Sequence, residues 1–287
     1  MNISQEDKWD QIITAKSSLF DLNLKEAWRY RDLLRMFVKR DIITVYKQTI
    51  LGPLWYFIQP LFTAITFTII FNRVAGIETG KVPSFLFNLA GIIVWNYFTS
   101  CLNETADTFK KNANIFGKVY FPRIIMPLST VITNLLKLGI QIIIYIGFYL
   151  FYLFLGMKNI INFNVIFFPF LIILMGLLGL GLGMIISSLV TKYRDLSFLI
   201  SFGVQLLMYI SAVVYPIELI SQKLPKYGWL VEYNPLAYIV ETSRIILLNQ
   251  GEISIFGLVY TIFVTIMIFV LGLVIFNKTE KSFIDTV

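Results

Sequence analysis

Six stretches of this chain run for about twenty residues or more without a single Asp, Glu, Lys or Arg. They are Gln48 to Asn72, Val82 to Asn103, Leu138 to Met157, Asn159 to Thr191, Leu196 to Ile217 and Ile253 to Asn277. A helix rises about 1.5 Å per residue, so ~20 apolar residues cross the ~30 Å hydrocarbon core of a bilayer with every backbone polar group bonded inside the segment. The pattern predicts an all-α membrane protein with six transmembrane helices, over about 52–71, 82–103, 128–155, 164–190, 196–217 and 254–276. The third could begin earlier, because Ile124 to Leu136 is also uncharged and Lys137 is the only charge before Lys158. A lysine there reads as an anchor or a cavity-facing residue near one interface.

Composition agrees: 57% of residues are hydrophobic and 14% charged, well outside soluble averages. The chain has no histidine and one cysteine, Cys101, which excludes an internal disulfide and a Cys/His zinc cluster. The first 50 residues are dense in charge and lack the apolar core of a signal peptide, so the first span is expected to serve as the targeting signal. The net charge of +7 forms no compact basic patch, which argues against nucleic acid. Membrane topology explains it: with the N-terminus inside, the inner segments hold 17 of the 24 Lys and Arg and the outer ones six. Both termini are therefore expected in the cytoplasm. Residues 1–51 read as a cytoplasmic segment, 52–277 as the membrane domain and 278–287 as a cytoplasmic tail.

Ahead of the first span, Ala27, Tyr30, Leu34, Phe37, Val38, Ile42 and Val45 recur at helical spacing, while Arg29, Arg35, Lys39, Arg40 and Lys47 take other faces. This predicts an amphipathic helix on the inner leaflet, with a simple lipid anchor as the alternative. The chain then turns at Gly52-Pro53 and enters the membrane past Trp55 and Tyr56. Between the second and third spans, Asn112, Asn114, Gly117, Pro122 and Pro127 divide a basic connection into short pieces, longer than a plain link requires. Thr191 to Asp195 is a short charged turn.

The fourth span carries Gly176, Gly179, Gly181 and Gly183. No strand precedes them and no phosphate reaches them in lipid, so they read as close helix packing. No Walker A pattern, Ser/His/Asp set or paired-carboxylate motif occurs. Work against a gradient would therefore draw on a partner or on an ion gradient; an ion-coupled carrier is expected to bury charges mid-span, so a partner ATPase is the simpler source. The stretch from Glu218 to Glu252 is too charged for a span, yet Leu236 to Leu248 is strongly apolar. Irregular backbone at membrane depth is tolerated only when buried in protein or lining a cavity, which predicts a re-entrant pair of short helices broken near Pro225 and Asn234-Pro235. Tyr215, Tyr227, Trp229, Tyr233 and Tyr238 would ring its mouth or form an interfacial aromatic belt.

In this order the parts resemble the membrane subunit of type-2 ABC exporters, in the branch that includes the O-antigen, capsule and teichoic acid permeases. The residues that carry the likeness are Arg31-Asp32-Leu33-Leu34, Val38-Lys39-Arg40-Asp41, Tyr46-Lys47, Leu51 to Trp55, Gln59-Pro60 and the Asn112 to Pro122 loop. Tyr193-Arg194-Asp195, Tyr215-Pro216, Leu224-Pro225, Asn234-Pro235 and Arg244 complete it. The resemblance implies a homodimer in the cytoplasmic membrane of a bacterium, paired with a cytoplasmic ATPase subunit that binds ATP and Mg, with no cofactor in this chain. It implies a coupling helix within residues 104 to 123, with Lys110, Lys111, Asn112, Asn114 and Phe116 at the ATPase contact, joined by Arg194, Asp195, Arg35 and Lys39. It also implies a path for an undecaprenyl-pyrophosphate-linked glycan past Tyr215, Trp229, Tyr233, Tyr238 and Arg244, with Arg29, Arg31 and Lys47 at a pyrophosphate entrance beside membrane lipid, although positive-inside topology accounts for those three equally well. Drug and lipid exporters of the same superfamily share this outline. A membrane-embedded enzyme would need an acidic or histidine cluster at one interface, and the acids of the last connection stand singly.

Overall fold

The computed structural model describes residues 28–47, 52–116, 121–158, 163–193, 195–223 and 225–283. Among them every regular element is a helix. α1 (Arg31–Lys47) is followed by a short 3-10 turn in which Gly52, at φ +47°, adopts the left-handed backbone that redirects the chain. α2 (Trp55–Phe67) continues as a π-helical stretch to Val74. α3 (Ser84–Ala106) and α4 (Thr108–Phe116) are separated by Asp107 alone. α5 (Ile125–Phe154), α6 (Phe168–Lys192) and α7 (Leu196–Ile210) follow, then the short α8 (Ile217–Lys223), α9 (Trp229–Glu232) and α10 (Pro235–Leu248), and finally α11 (Ile255–Phe283).

Five segments are long and apolar enough to span a membrane: Trp55–Val74, Ser84–Ala106, Ile125–Phe154, Phe163–Lys192 and Ile255–Thr279. The third starts at Ile125, ahead of the expected 128, as the uncharged run before Lys137 allows. The fifth apolar run departs from expectation. Its helix holds only as far as Ile210; at 15 residues it measures about 22 Å, short of the hydrocarbon core. From Ser211 to Pro216 the chain is irregular, with Ala212 at φ +52°. That backbone is satisfied by an arginine from α10, described below, which no pattern within the run announces.

The glycines of the fourth run explain the core. In α3, 78% of the most apolar stretch is buried, against 11% in α2, so α3 sits at the centre and α2 at the edge. Gly176, Gly179 and Gly183 turn one face of α6 to α3: a Cβ on Gly183 would stand 2.6 Å from that of Thr105. Gly181 lies on another face, against α11, where a Cβ on Gly272 would stand 2.4 Å from the Gly181 carbonyl oxygen. Small residues thus let one helix approach two neighbours at backbone distance. Polar glue joins α2 to α3, since Asn88 Nδ2 donates to Thr68 Oγ1 at 3.0 Å and to Asn72 Oδ1 at 2.8 Å. α7 contributes no buried residue, and Phe198, Leu199 and Phe202 are exposed along it.

Candidate functional site

Two regions stand at opposite ends of α3, which is about 34 Å long. At its C-terminal end, α4 divides into two faces. Phe109, 2% exposed, stacks on Phe276 of α11 with ring centroids 4.7 Å apart. The chain of rings continues from Phe109 to Phe116 at 5.9 Å, to Phe121 at 5.9 Å and to Phe37 of α1 at 5.8 Å. Guanidinium groups cover its flanks, Arg123 lying 5.1 Å over Phe116 and Arg40 4.8 Å over Phe37. The other face of α4 carries exposed Lys110, Lys111 and Asn114. Lys111 pairs with Asp107 at 3.3 Å, and half-buried Asn112 Nδ2 donates to the Thr108 carbonyl at 2.9 Å.

The sequence-expected coupling residues are therefore split. Lys110, Lys111 and Asn114 face outward together, whereas Phe116 is buried in the ring cluster and holds the helix to the bundle. Phe109, Phe121 and Phe276 were not among the expected residues. A phenylalanine in so apolar a chain carries no distinguishing signal, although Phe109 and Phe116 sit seven apart on one helical face. Asp195 is exposed, and Arg194 lies outside the described residues.

Part of the apolar stripe of α1 is turned towards α5. Leu34, Val38, Ile42 and Ile43 face Ile132 across a groove of about 310 Å³, with Arg35 and Lys39 in its walls. Arg29, Arg31 and Lys47 are all exposed. Further along α5, Lys137 Nζ donates to Glu104 Oε1 of α3 at 2.7 Å and stands 5.5 Å over the Tyr56 ring of α2. Asn134 Nδ2 donates to Glu104 Oε2 at 3.2 Å. Lys137 is thus an interhelical anchor, and its partner Glu104 is the one charged residue of α3.

The other end is built around α10. Asn234 caps it, accepting from Leu236 N–H at 3.0 Å while Pro235 takes the first helical position, where a missing N–H costs nothing. Asn234 Nδ2 also donates to Ser211 Oγ at 3.0 Å, tying the cap to the irregular segment after α7. Asn249 closes the helix in the left-handed conformation. The breaks expected near Pro225 and Asn234-Pro235 are present, and α10 is largely buried against α3, α6 and α11.

Arg244, 2% exposed, is the hub of this end. Its Nη2 donates to the Ala212 carbonyl at 2.7 Å, to the Tyr215 carbonyl at 3.2 Å and to Glu241. Its guanidinium lies 4.1 Å over the Phe87 ring of α3. Ala212 in a left-handed backbone costs on the order of 1–3 kcal/mol, and Arg244 bonds the carbonyl of that residue. Of the expected path aromatics, Tyr215 donates its hydroxyl to the Tyr209 carbonyl, and half-buried Tyr238 packs over Gly257. Trp229 and Tyr233 are 56% and 67% exposed. The Tyr233 ring meets Tyr260 edge-on at 6.4 Å, and Tyr260 Oη donates to the Tyr233 carbonyl at 3.0 Å.

Among the described residues no group of three acidic, cysteine or histidine side chains could hold a metal. Comparison with known proteins matches residues 32–248 to the ABC-2 type transporter family. The chain is 30% identical over 254 residues to an O-antigen export system permease protein RfbA of Klebsiella pneumoniae, covering 88% of this chain and 94% of that one. It is 24% identical to the RfbA permease of Myxococcus xanthus, over 78% of this chain and 83% of that one. To the polysialic acid transport protein KpsM of Escherichia coli it is also 24% identical, over 86% and 93%. Matched by one family model along most of its length, the chain belongs to the ABC-2 type transporter family and is a transporter subunit rather than an enzyme.

Proposed function

We propose that the chain is the membrane subunit of an ATP-driven exporter that carries a lipid-linked polysaccharide, of the O-antigen kind, across the cytoplasmic membrane. It works as a homodimer with a cytoplasmic ATPase subunit that binds ATP and Mg. The observation that carries this reading is the two-faced α4: one face is locked by Phe109 and Phe116 into rings from α1 and α11, the other offers Lys110, Lys111 and Asn114. A helix so anchored passes a push on its polar face to the spans without bending away. Near-full-length similarity to permeases named for O-antigen and polysialic acid supports the cargo class.

In this reading the α4 end is cytoplasmic and the α10 end is outer, in keeping with the excess of Lys and Arg in the segments around α1 and α4. Arg29, Arg31 and Lys47 form a basic entrance for the pyrophosphate, and the apolar groove between α1 and α5 lies beside it for the carrier's hydrocarbon chain. Tyr215, Trp229, Tyr233 and Tyr238 stand along the exit, while Arg244 shapes it from behind. The exposed apolar α7 is the surface offered to the second copy.

The test is a pull-down of the tagged chain with the ATPase encoded beside it, together with analysis of the deletion strain. Co-purification of the ATPase and accumulation of a lipid-linked polymer inside the cell are expected. Absence of any ATP-binding partner would sink the reading.

A further inference from the structure

At the α10 end, a cavity of about 350 Å³ opens between the loop at Glu78 and Thr79, α8 and α10. It sits at the small end of the ~300–1,000 Å³ typical of small-molecule sites, room for about one or two sugar rings. We propose that this cavity is a binding site for a sugar unit of the exported glycan, held at the outer end of the path. The proposal rests on the glycan-export reading above and adds to it a site away from the exposed aromatics.

The first support is unspent hydrogen-bonding capacity. Arg244 forms part of the cavity wall, and its three hydrogen bonds all leave from Nη2. Its Nε and Nη1 are buried without a protein partner. Gln250, also in the wall, has a buried Oε1 without a partner. A buried polar atom without a partner has lost its bonds to water and gained none in return, so a ligand that bonds it recovers free energy.

The second support is the character of the walls. Glu78, Glu218 and Gln222 add planar acceptors and amide donors to Arg244 and Gln250, while Leu219 and Ile245 supply apolar surface. Planar groups that bond two neighbouring hydroxyls, set against surfaces that take C–H faces, are the chemistry a pyranose needs.

Charge narrows the ligand further. Arg244 is already paired with Glu241, whereas Glu78 and Glu218 make no ion pair among the described residues. The cavity is therefore net acidic and disfavours a phosphate or another anion. Among the described residues no acidic trio is close enough to hold a cation. A neutral polyhydroxyl unit fits both constraints.

The experiment is saturation-transfer NMR on the full-length permease, purified with its ATPase in lipid nanodiscs. The probes are methyl glycosides of glucose, galactose, mannose, rhamnose and N-acetylglucosamine at millimolar concentration. At least one glycoside should receive saturation, and the signal should fall about tenfold in Glu218→Ala and in Gln222→Ala. Both positions lie on the short, solvent-facing α8, so Arg244 and its clamp stay intact and thermal unfolding should be unchanged. No signal from any glycoside, signal untouched by both substitutions, or displacement by inorganic phosphate overturns the proposal. A complex that still exports glycan but binds no glycoside in this cavity removes the sugar site and leaves the export reading standing. A complex that binds glycoside but exports no glycan removes the export reading alone.

Discussion

The two ends of the bundle are held in different ways. The α4 end is a chain of aromatic side chains, Phe276, Phe109, Phe116, Phe121 and Phe37, joining three helices through ring contacts. The α10 end is a single guanidinium spread over two backbone carbonyls, a carboxylate and a ring. Ring packing is a sum of many weak contacts, which is compatible with the proposed passage of motion between elements. Hydrogen bonds to an irregular backbone fix one geometry, which suits a shaped rim around the cavity that Arg244 helps to line.

That contrast predicts its own largest failure. Arg244→Met removes the hydrogen bonds that α10 gives to the Ala212 and Tyr215 carbonyls and leaves Glu241 without its partner. Breaking a buried pair costs about 3–5 kcal/mol, so the variant should unfold far below wild type in a detergent thermal melt or fail to accumulate. A melt within a few degrees of wild type would mean that the clamp is dispensable.

At the other end, Phe109→Ala deletes the ring shared by Phe276 and Phe116, at about 3 kcal/mol in the range for buried phenylalanines. Phe109→Leu keeps most of the volume and should cost less than about 1.5 kcal/mol. The alanine variant should still bind the ATPase through Lys110 and Lys111 while ATP hydrolysis loses its tie to export. Full export by Phe109→Ala would show that the ring chain carries no motion.

How far these ends were legible in the sequence differs for the same reason. Asn234-Pro235 and the fourth-span glycines could be read because cap chemistry and close packing act over a few residues. That Lys110 and Lys111 turn outward could be expected from their charge, whereas Asn114 entered only through the family resemblance. The ring chain was not, because it joins Phe37, Phe121 and Phe276 across most of the chain and phenylalanine is common in any lipid-facing run. The early end of α7 was also hidden. No glycine or proline interrupts Ser211 to Tyr215, and the reason the helix stops is Arg244, more than thirty residues on.

Between the ends, Gly272→Ala tests the helix contact that links them to one core. Its Cβ would stand 2.4 Å from the Gly181 carbonyl oxygen, a backbone atom that cannot rotate aside. Overpacking of about 1–3 kcal/mol is expected as a lower melting temperature. Gly203→Ala on α7, where nothing lies within 4 Å, should change nothing in the isolated chain. A smaller effect than that of Gly272→Ala is expected on stability from Lys110→Glu with Lys111→Glu, since exposed pairs such as Lys111 with Asp107 contribute about 0–1 kcal/mol. ATPase co-purification should nevertheless fall, and an undiminished pull-down would move the contact elsewhere.

The smallest change in the folded protein, and the finest probe of the α10 end, is Trp229→Leu with Tyr233→Leu. Both rings are exposed, so the substitution should alter stability by no more than about 0.5 kcal/mol. Should the rings stack on sugar, each supplies about 0.5–1.5 kcal/mol, and losing both slows export by roughly tenfold or more. An interfacial belt predicts unaltered export, because leucine keeps the apolar surface and Tyr260 still holds the Tyr233 backbone carbonyl. Membrane insertion is unchanged on either account, so the rate of surface glycan appearance alone decides between a rim that touches cargo and one that only meets the headgroups.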